Sequence, residues 1–134
     1  HQPVNGFFFA MIAEKKVVVG LVGPCGAGKT TLKSGLETEG WSVRHIAQEH
    51  SYVADMWQRI SHPDVLIFLE AGFATASRRR CLDWTEREYT EQQHRLRHAR
   101  RHADLVIQTD GLTAGEVLQQ ALAFLEALEA DRAG

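Results

Sequence analysis

The chain has 134 residues, enough for one hydrophobic core, and an apolar fraction of 44% that suits an ordinary globular protein. A net charge of −2 excludes a general attraction to nucleic acid or to anionic membrane, so nucleic acid is not expected as a partner and a phosphate site has to be built from local charge. No apolar stretch is long enough to span a bilayer, and two isolated cysteines, Cys25 and Cys81, exclude a disulfide framework and read as free thiols of a reducing cytosol.

Residues 1–10 begin with His, lack the basic start of a signal peptide and precede Met11. They are expected to be a tag, which leaves one domain over 11–134. The run Val17-Val18-Val19-Gly20-Leu21-Val22 is apolar, β-branched and uncharged, as a buried parallel strand requires. It ends in Gly23-Pro24-Cys25-Gly26-Ala27-Gly28-Lys29-Thr30-Thr31, and a helix over 29–39 follows, with Leu32 and Leu36 on one face and Gly40 as its stop. Strand, glycine loop and helix in that order form the context of a phosphate-binding loop. The glycines let the backbone take positive φ and approach phosphate oxygens with no Cβ in the way. The loop amides and the helix's positive end then face the anion, Lys29 reaches toward the β/γ-phosphates and the Thr30 hydroxyl toward Mg²⁺. Cys25 fills a variable position of the loop.

Residues 41–46 alternate apolar and polar, which predicts a short strand near the sheet edge. Gln48-Glu49-His50-Ser51-Tyr52 is a polar turn at that strand's carboxyl end, and Glu49 or His50 there is a potential base. The spacing of Val53, Met56, Trp57 and Ile60 predicts a helix over 52–60. A wholly apolar strand over 65–69 runs into Glu70, and a helix over 74–82 carries Arg78-Arg79-Arg80. Thr85 and Glu88 have capping-box spacing and open a helix to about 103, with Tyr89, Leu96, Ala99 and Ala103 on its apolar line. His94, His98 and His102 form an i, i+4 stripe away from that line, with no carboxylate or thiolate to complete a metal site. A third apolar strand over 105–107, the turn Asp110-Gly111 and a last helix opened by Thr113 and Glu116 complete the chain. That helix is expected to bury Val117, Leu118, Ala121, Leu122, Leu125 and Leu128. Strands alternating with helices predict an α/β fold: a single-domain, three-layer α/β/α sandwich around a small, mainly parallel sheet, with ligands beyond the carboxyl ends of the strands.

The loop from Gly23 to Thr31 matches the Walker A pattern at every fixed position and resembles the P-loop NTPase superfamily. The Asn-Lys-x-Asp segment of regulatory GTPases is missing. The nearest likeness is to small kinases of the nucleoside monophosphate, shikimate and dephospho-coenzyme A type, and it covers most of the chain. The strand over 65–69 leading to Arg78-Arg79-Arg80 resembles the entry to their arginine-bearing lid. The segment from His98 to Ile107 resembles the lid's return helix and last strand, and the turn at Asp110-Gly111 falls where their backbone packs on adenine. The resemblance implies that Gly23, Pro24, Cys25, Gly26, Ala27, Gly28, Lys29, Thr30, Thr31, Asp110 and Gly111 bind nucleotide. Lys29 would act in transfer, with arginines drawn from Arg78, Arg79, Arg80, Arg97 and Arg100, Arg78 and Arg100 first. Thr30 would bind the metal. The turn from Gln48 to Tyr52, at a strand's carboxyl end across from the loop, is expected to form the acceptor side of the cleft, with Glu49 or His50 as its base.

The separate Walker B strand and acceptor subdomain of those kinases are not found. Glu70, after an apolar run, is ranked first for the missing acid, ahead of Asp55 and Asp64. The reading is a cytoplasmic phosphotransferase that uses ATP (or GTP) and Mg²⁺ and acts on a nucleotide or other small-molecule acceptor. The other reading is a regulatory nucleotide-binding module, or slow NTPase, controlling a partner protein. A homodimer stays open.

Overall fold

The computed structural model describes residues 17–80 and 84–133; the expectations for residues 1–10, Cys81 and Leu82 lie outside them. Strand β1 (Val18–Val22) is followed by α1 (Lys29–Thr38), β2 (Ser42–His45), a 3₁₀ turn (Gln48–His50) and α2 (Met56–Ser61). Then come β3 (Val65–Glu70), α3 (Phe73–Arg80), α4 (Glu86–His102), β4 (Leu105–Gln108) and α5 (Ala114–Ala133). The four strands form one parallel sheet in the order β2-β1-β3-β4. The fold is α/β. Val19 pairs with Val65 and Leu21 with Ile67, so the two most apolar strands lie side by side at the centre.

Alternation along the strands sorts the core into two layers, because successive side chains point to opposite faces. Val19, Leu21, Val65, Ile67, Leu69 and Ile107 pack with Leu32 and Leu36 of α1 and with Val117, Ala121, Leu122 and Leu125 of α5. Val22, Leu66 and Phe68 pack on the other side with Ile46, Trp57 of α2, and Leu96 and Ala99 of α4. Gly20 is required on this second side: a Cβ there would stand 2.8 Å from Ile46 Cδ1 and 2.9 Å from Pro63 Cβ.

Both capping boxes form. Glu88 N donates to Thr85 Oγ1 at 3.1 Å and Thr85 N to Glu88 Oε1 at 2.9 Å; the Thr113–Glu116 pair repeats this at 3.1 and 2.8 Å. Leu118 and Leu128, expected in the core, are half-buried at its margin.

The helix expected over 52–60 is shorter and later than its periodicity predicts. The buried Gln48 accepts from Trp57 N at 2.8 Å and donates to the carbonyls of Val53 and Arg95 at 2.9 and 3.2 Å. One side chain thereby holds the chain from 48 to 57 in a loop, and only Met56–Ser61 is left to coil. Tyr52, Val53 and Ile60 consequently face solvent at 88%, 51% and 68% exposure. Among the described residues, no helix is long and apolar enough to cross a membrane.

Candidate functional site

Beyond the carboxyl ends of β1 and β2 lies a cavity of about 760 Å³. Its walls include the loop residues Cys25 to Thr31, His45 at the end of β2, Ala47, Glu49 and His50 just after it, Arg79 of α3, and Leu112, Ala114 and Val117 around the start of α5. Gly23, Gly26 and Gly28 adopt φ of 155°, 83° and 99°. At Gly23 and Gly26 a Cβ would also strike the carbonyl oxygens of Leu69 and Ala76, each at 2.4 Å. Gly28 differs, since a Cβ there would meet no atom of the described residues within 4 Å. Helix α1 starts at this residue with no side-chain cap and no acidic residue in its first turn, so its positive end is left to the cavity.

Lys29 is folded back under the loop and is only 5% exposed. Its ammonium donates to the carbonyls of Gly23 and Pro24 and, at 2.8 Å, to Glu49 Oε2. The Glu49 side chain is equally buried, and its second oxygen, Oε1, has no hydrogen-bond partner among the described residues. An orphaned buried carboxylate oxygen costs free energy unless something binds it. Glu49 belongs to the 3₁₀ turn, which α4 holds: Arg95 donates to Glu49 O at 3.3 Å and covers the Tyr52 ring at 4.6 Å. From the same helix, Gln92 accepts from Cys25 N at 3.0 Å and lays its Nε2 3.3 Å from Cys25 Sγ. His45 is held below its ordinary pKa of 6.5, first by desolvation of its ring and then by the charge of Lys29.

The expected residues divide. Cys25, Gly26, Ala27, Gly28, Lys29, Thr30, Thr31 and Glu49 come together around the cavity, and Gly23 and Pro24 hold Lys29 from beneath. Glu70 and Arg100 do not reach its wall: they bind each other, Arg100 Nε and Nη2 each donating to a Glu70 carboxylate oxygen at 3.0 Å. The Glu70 carboxylate is thus committed to Arg100 rather than turned to the loop. Asp64 is remote as well, because it accepts from Val18 N at the opposite end of β1, and Asp55 pairs with Arg59.

Arg79, not Arg78, lines the cavity. Helix α3 turns Arg79 back to donate to Ala27 O at 3.3 Å and to Thr109 Oγ1 and O at 2.9 and 3.0 Å, while Arg78 contacts Thr75 on its own helix. Asp110 and Gly111 are also set back. The Asp110 carboxylate accepts from Gly72 N, and it is Leu112, just beyond, that reaches the wall. His98 accepts from Trp57 Nε1 at 3.1 Å and its ring lies 4.4 Å from that of His102, which gives two of the three histidines of the stripe a packing role.

No protein-family model matches the chain, and neither does any curated protein sequence. Gln92, Arg95 and His45 are absent from the sequence-based site. Glutamine on a helix carries no motif, and only the packing of α4 on the 3₁₀ turn reveals its partner.

Proposed function

We propose that this protein binds a nucleoside triphosphate with Mg²⁺ as a P-loop protein and transfers its terminal phosphoryl group to a small acceptor. The observation that carries the reading is the setting of Lys29, a buried cation held between loop carbonyls and a carboxylate at the floor of a glycine-walled cavity. The fit is physical. Open space at Gly28, an uncapped helix start and one movable ammonium supply what a phosphate chain needs, and the cavity is of small-ligand size. When bound, the triphosphate supplies the transferable group and Mg²⁺ offsets its charge. Thr30 would hold the metal. Lys29 would turn from Gly23 and Pro24 to the phosphates, which releases Glu49 to accept a proton from an acceptor hydroxyl. Arg79 is the arginine best set to neutralise charge next to the loop.

The alternative of a regulatory module draws on a separate observation. Arg79 and Arg100 are already engaged within the protein, and Tyr52, Val53 and Ile60 expose apolar surface on the segment that continues from Glu49. A loop change at Lys29 and Glu49 would reach that surface through the 3₁₀ turn.

Titration of ATP and GTP with and without Mg²⁺, followed by assays of hydrolysis and of transfer to a panel of small acceptors, separates the two. Nucleotide binding with transfer supports the kinase, binding without turnover supports the module, and no binding ends both.

A further inference from the structure

Three groups from two segments converge at the mouth of the cavity. Cys25 Sγ lies 3.5 Å from His50 Nε2 and 3.9 Å from Glu49 Oε2, and His50 Nε2 lies 3.9 Å from the same oxygen. Among the described residues this is the one group of three or more metal-ligating side chains with ligand atoms so close together. We propose that Cys25, Glu49 and His50 form a zinc site that ties the glycine loop to the 3₁₀ turn.

The spacing matches the metal. Zinc bonds of about 2.0 Å to nitrogen or oxygen and 2.3 Å to sulfur place tetrahedral ligands roughly 3.3–3.8 Å apart, close to the edges of this triangle. The donor set selects zinc over magnesium, because a thiolate and an imidazole are too soft for Mg²⁺. A second observation points to a missing ligand: Glu49 Oε1 is buried with no partner among the described residues. Lys29 donates to the same Oε2 at 2.8 Å, but that oxygen keeps a second lone pair for the metal, and Oε1 is available to make the carboxylate bidentate. Gln92 orients the thiol from behind, accepting from Cys25 N while its Nε2 faces the sulfur, the role that outer partners play in metal sites. On binding, the Cys25 S–H gives up its proton to solvent as the S–Zn bond forms, and His50 binds as the neutral ring. Three protein ligands leave the fourth position open toward the cavity.

Titration of the full-length protein with Co²⁺ and then Zn²⁺, each as the metal salt alone, tests the site by absorption. One equivalent of Co²⁺ should give a thiolate-to-cobalt charge-transfer band with tetrahedral d–d bands, and Zn²⁺ should bleach both. Cys25→Ser should abolish the charge-transfer band and Cys81→Ser should keep it. His50→Ala, at a side chain 59% exposed and so safe for folding, should weaken affinity at least about tenfold. Absence of the band, its survival in Cys25→Ser, or unchanged affinity in His50→Ala overturns the proposal, as does a band that is lost on substituting His94 and His102 instead.

Discussion

Lys29 and Glu49 meet at 2.8 Å with each side chain only 5% exposed, so the one lysine of the glycine loop is neutralised by a residue twenty positions away on another segment. A buried ion pair is weak evidence of stability, since desolvation offsets its attraction, but loss of one partner strands the other charge. Lys29→Ala and Glu49→Ala should each therefore destabilise the fold by about 3 kcal/mol, while Lys29→Met with Glu49→Leu should recover most of that. Urea denaturation of the three variants checks this. Single variants as stable as the parent would show that the pair is open to water.

The glycines of the loop should separate stability from binding. Gly26→Ala combines φ of 83° with a Cβ 2.4 Å from Ala76 O, so it should unfold at lower urea. Gly28→Ala meets no atom of the described residues within 4 Å and carries only the strain of φ 99°, about 1 kcal/mol, yet it adds a methyl group at a residue that lines the cavity. The expected outcome is near-parental stability with nucleotide affinity reduced at least about tenfold, the effect of 1.4 kcal/mol. Equal affinities in Gly28→Ala and parent would remove the phosphate cradle from this loop.

Thr30→Ala should act through the metal. Thr30 lines the cavity, so if its hydroxyl holds Mg²⁺, nucleotide affinity should fall in Mg²⁺ and stay level in EDTA. The same loss in both conditions would assign Thr30 to the helix start alone.

Arg79 and Arg100 should not behave alike. Arg79→Ala frees Ala27 O and the buried Thr109 and should reduce turnover well beyond its effect on nucleotide affinity. The Arg100–Glu70 pair is half exposed and worth no more than about 1 kcal/mol, so Arg100→Ala should leave turnover close to parental. Steady-state kinetics beside nucleotide titration decides, and a larger turnover loss in Arg100→Ala would reverse the assignment.

His45 makes stability pH-dependent. Its folded pKa lies below the unfolded 6.5, so the unfolded chain binds the proton more readily and stability falls as pH drops through about 6.5. His45→Gln should flatten that part of the profile. Thermal denaturation from pH 5 to 8 tests it, and an unaltered slope would place the titration elsewhere.

Much of the fold is legible in the sequence because its signals are local. Uncharged β-branched runs require burial on both faces and became β1 and β3; threonine and glutamate three apart satisfied the first amides of α4 and α5; glycine before Lys29-Thr30 permitted the positive φ of the loop. The candidate phosphate loop could be named for the same reason, since strand, loop and helix are contiguous. What the sequence could not convey is pairing across the sheet. Glu70 ends an apolar strand and looked like the metal acid, yet Arg100 reaches it from α4, while Glu49, after a weaker strand, comes to Lys29 because β2 rather than β4 lies beside β1. Three consecutive arginines are equivalent as text, and helix phase alone turned Arg79 toward the loop. Gln48 overrode the apolar periodicity of 52–60 because a buried amide must find its partners, and it found them in Val53, Trp57 and Arg95. Local propensity wrote the elements; charge pairing and the satisfaction of buried polar groups, which exist only between elements, chose the site.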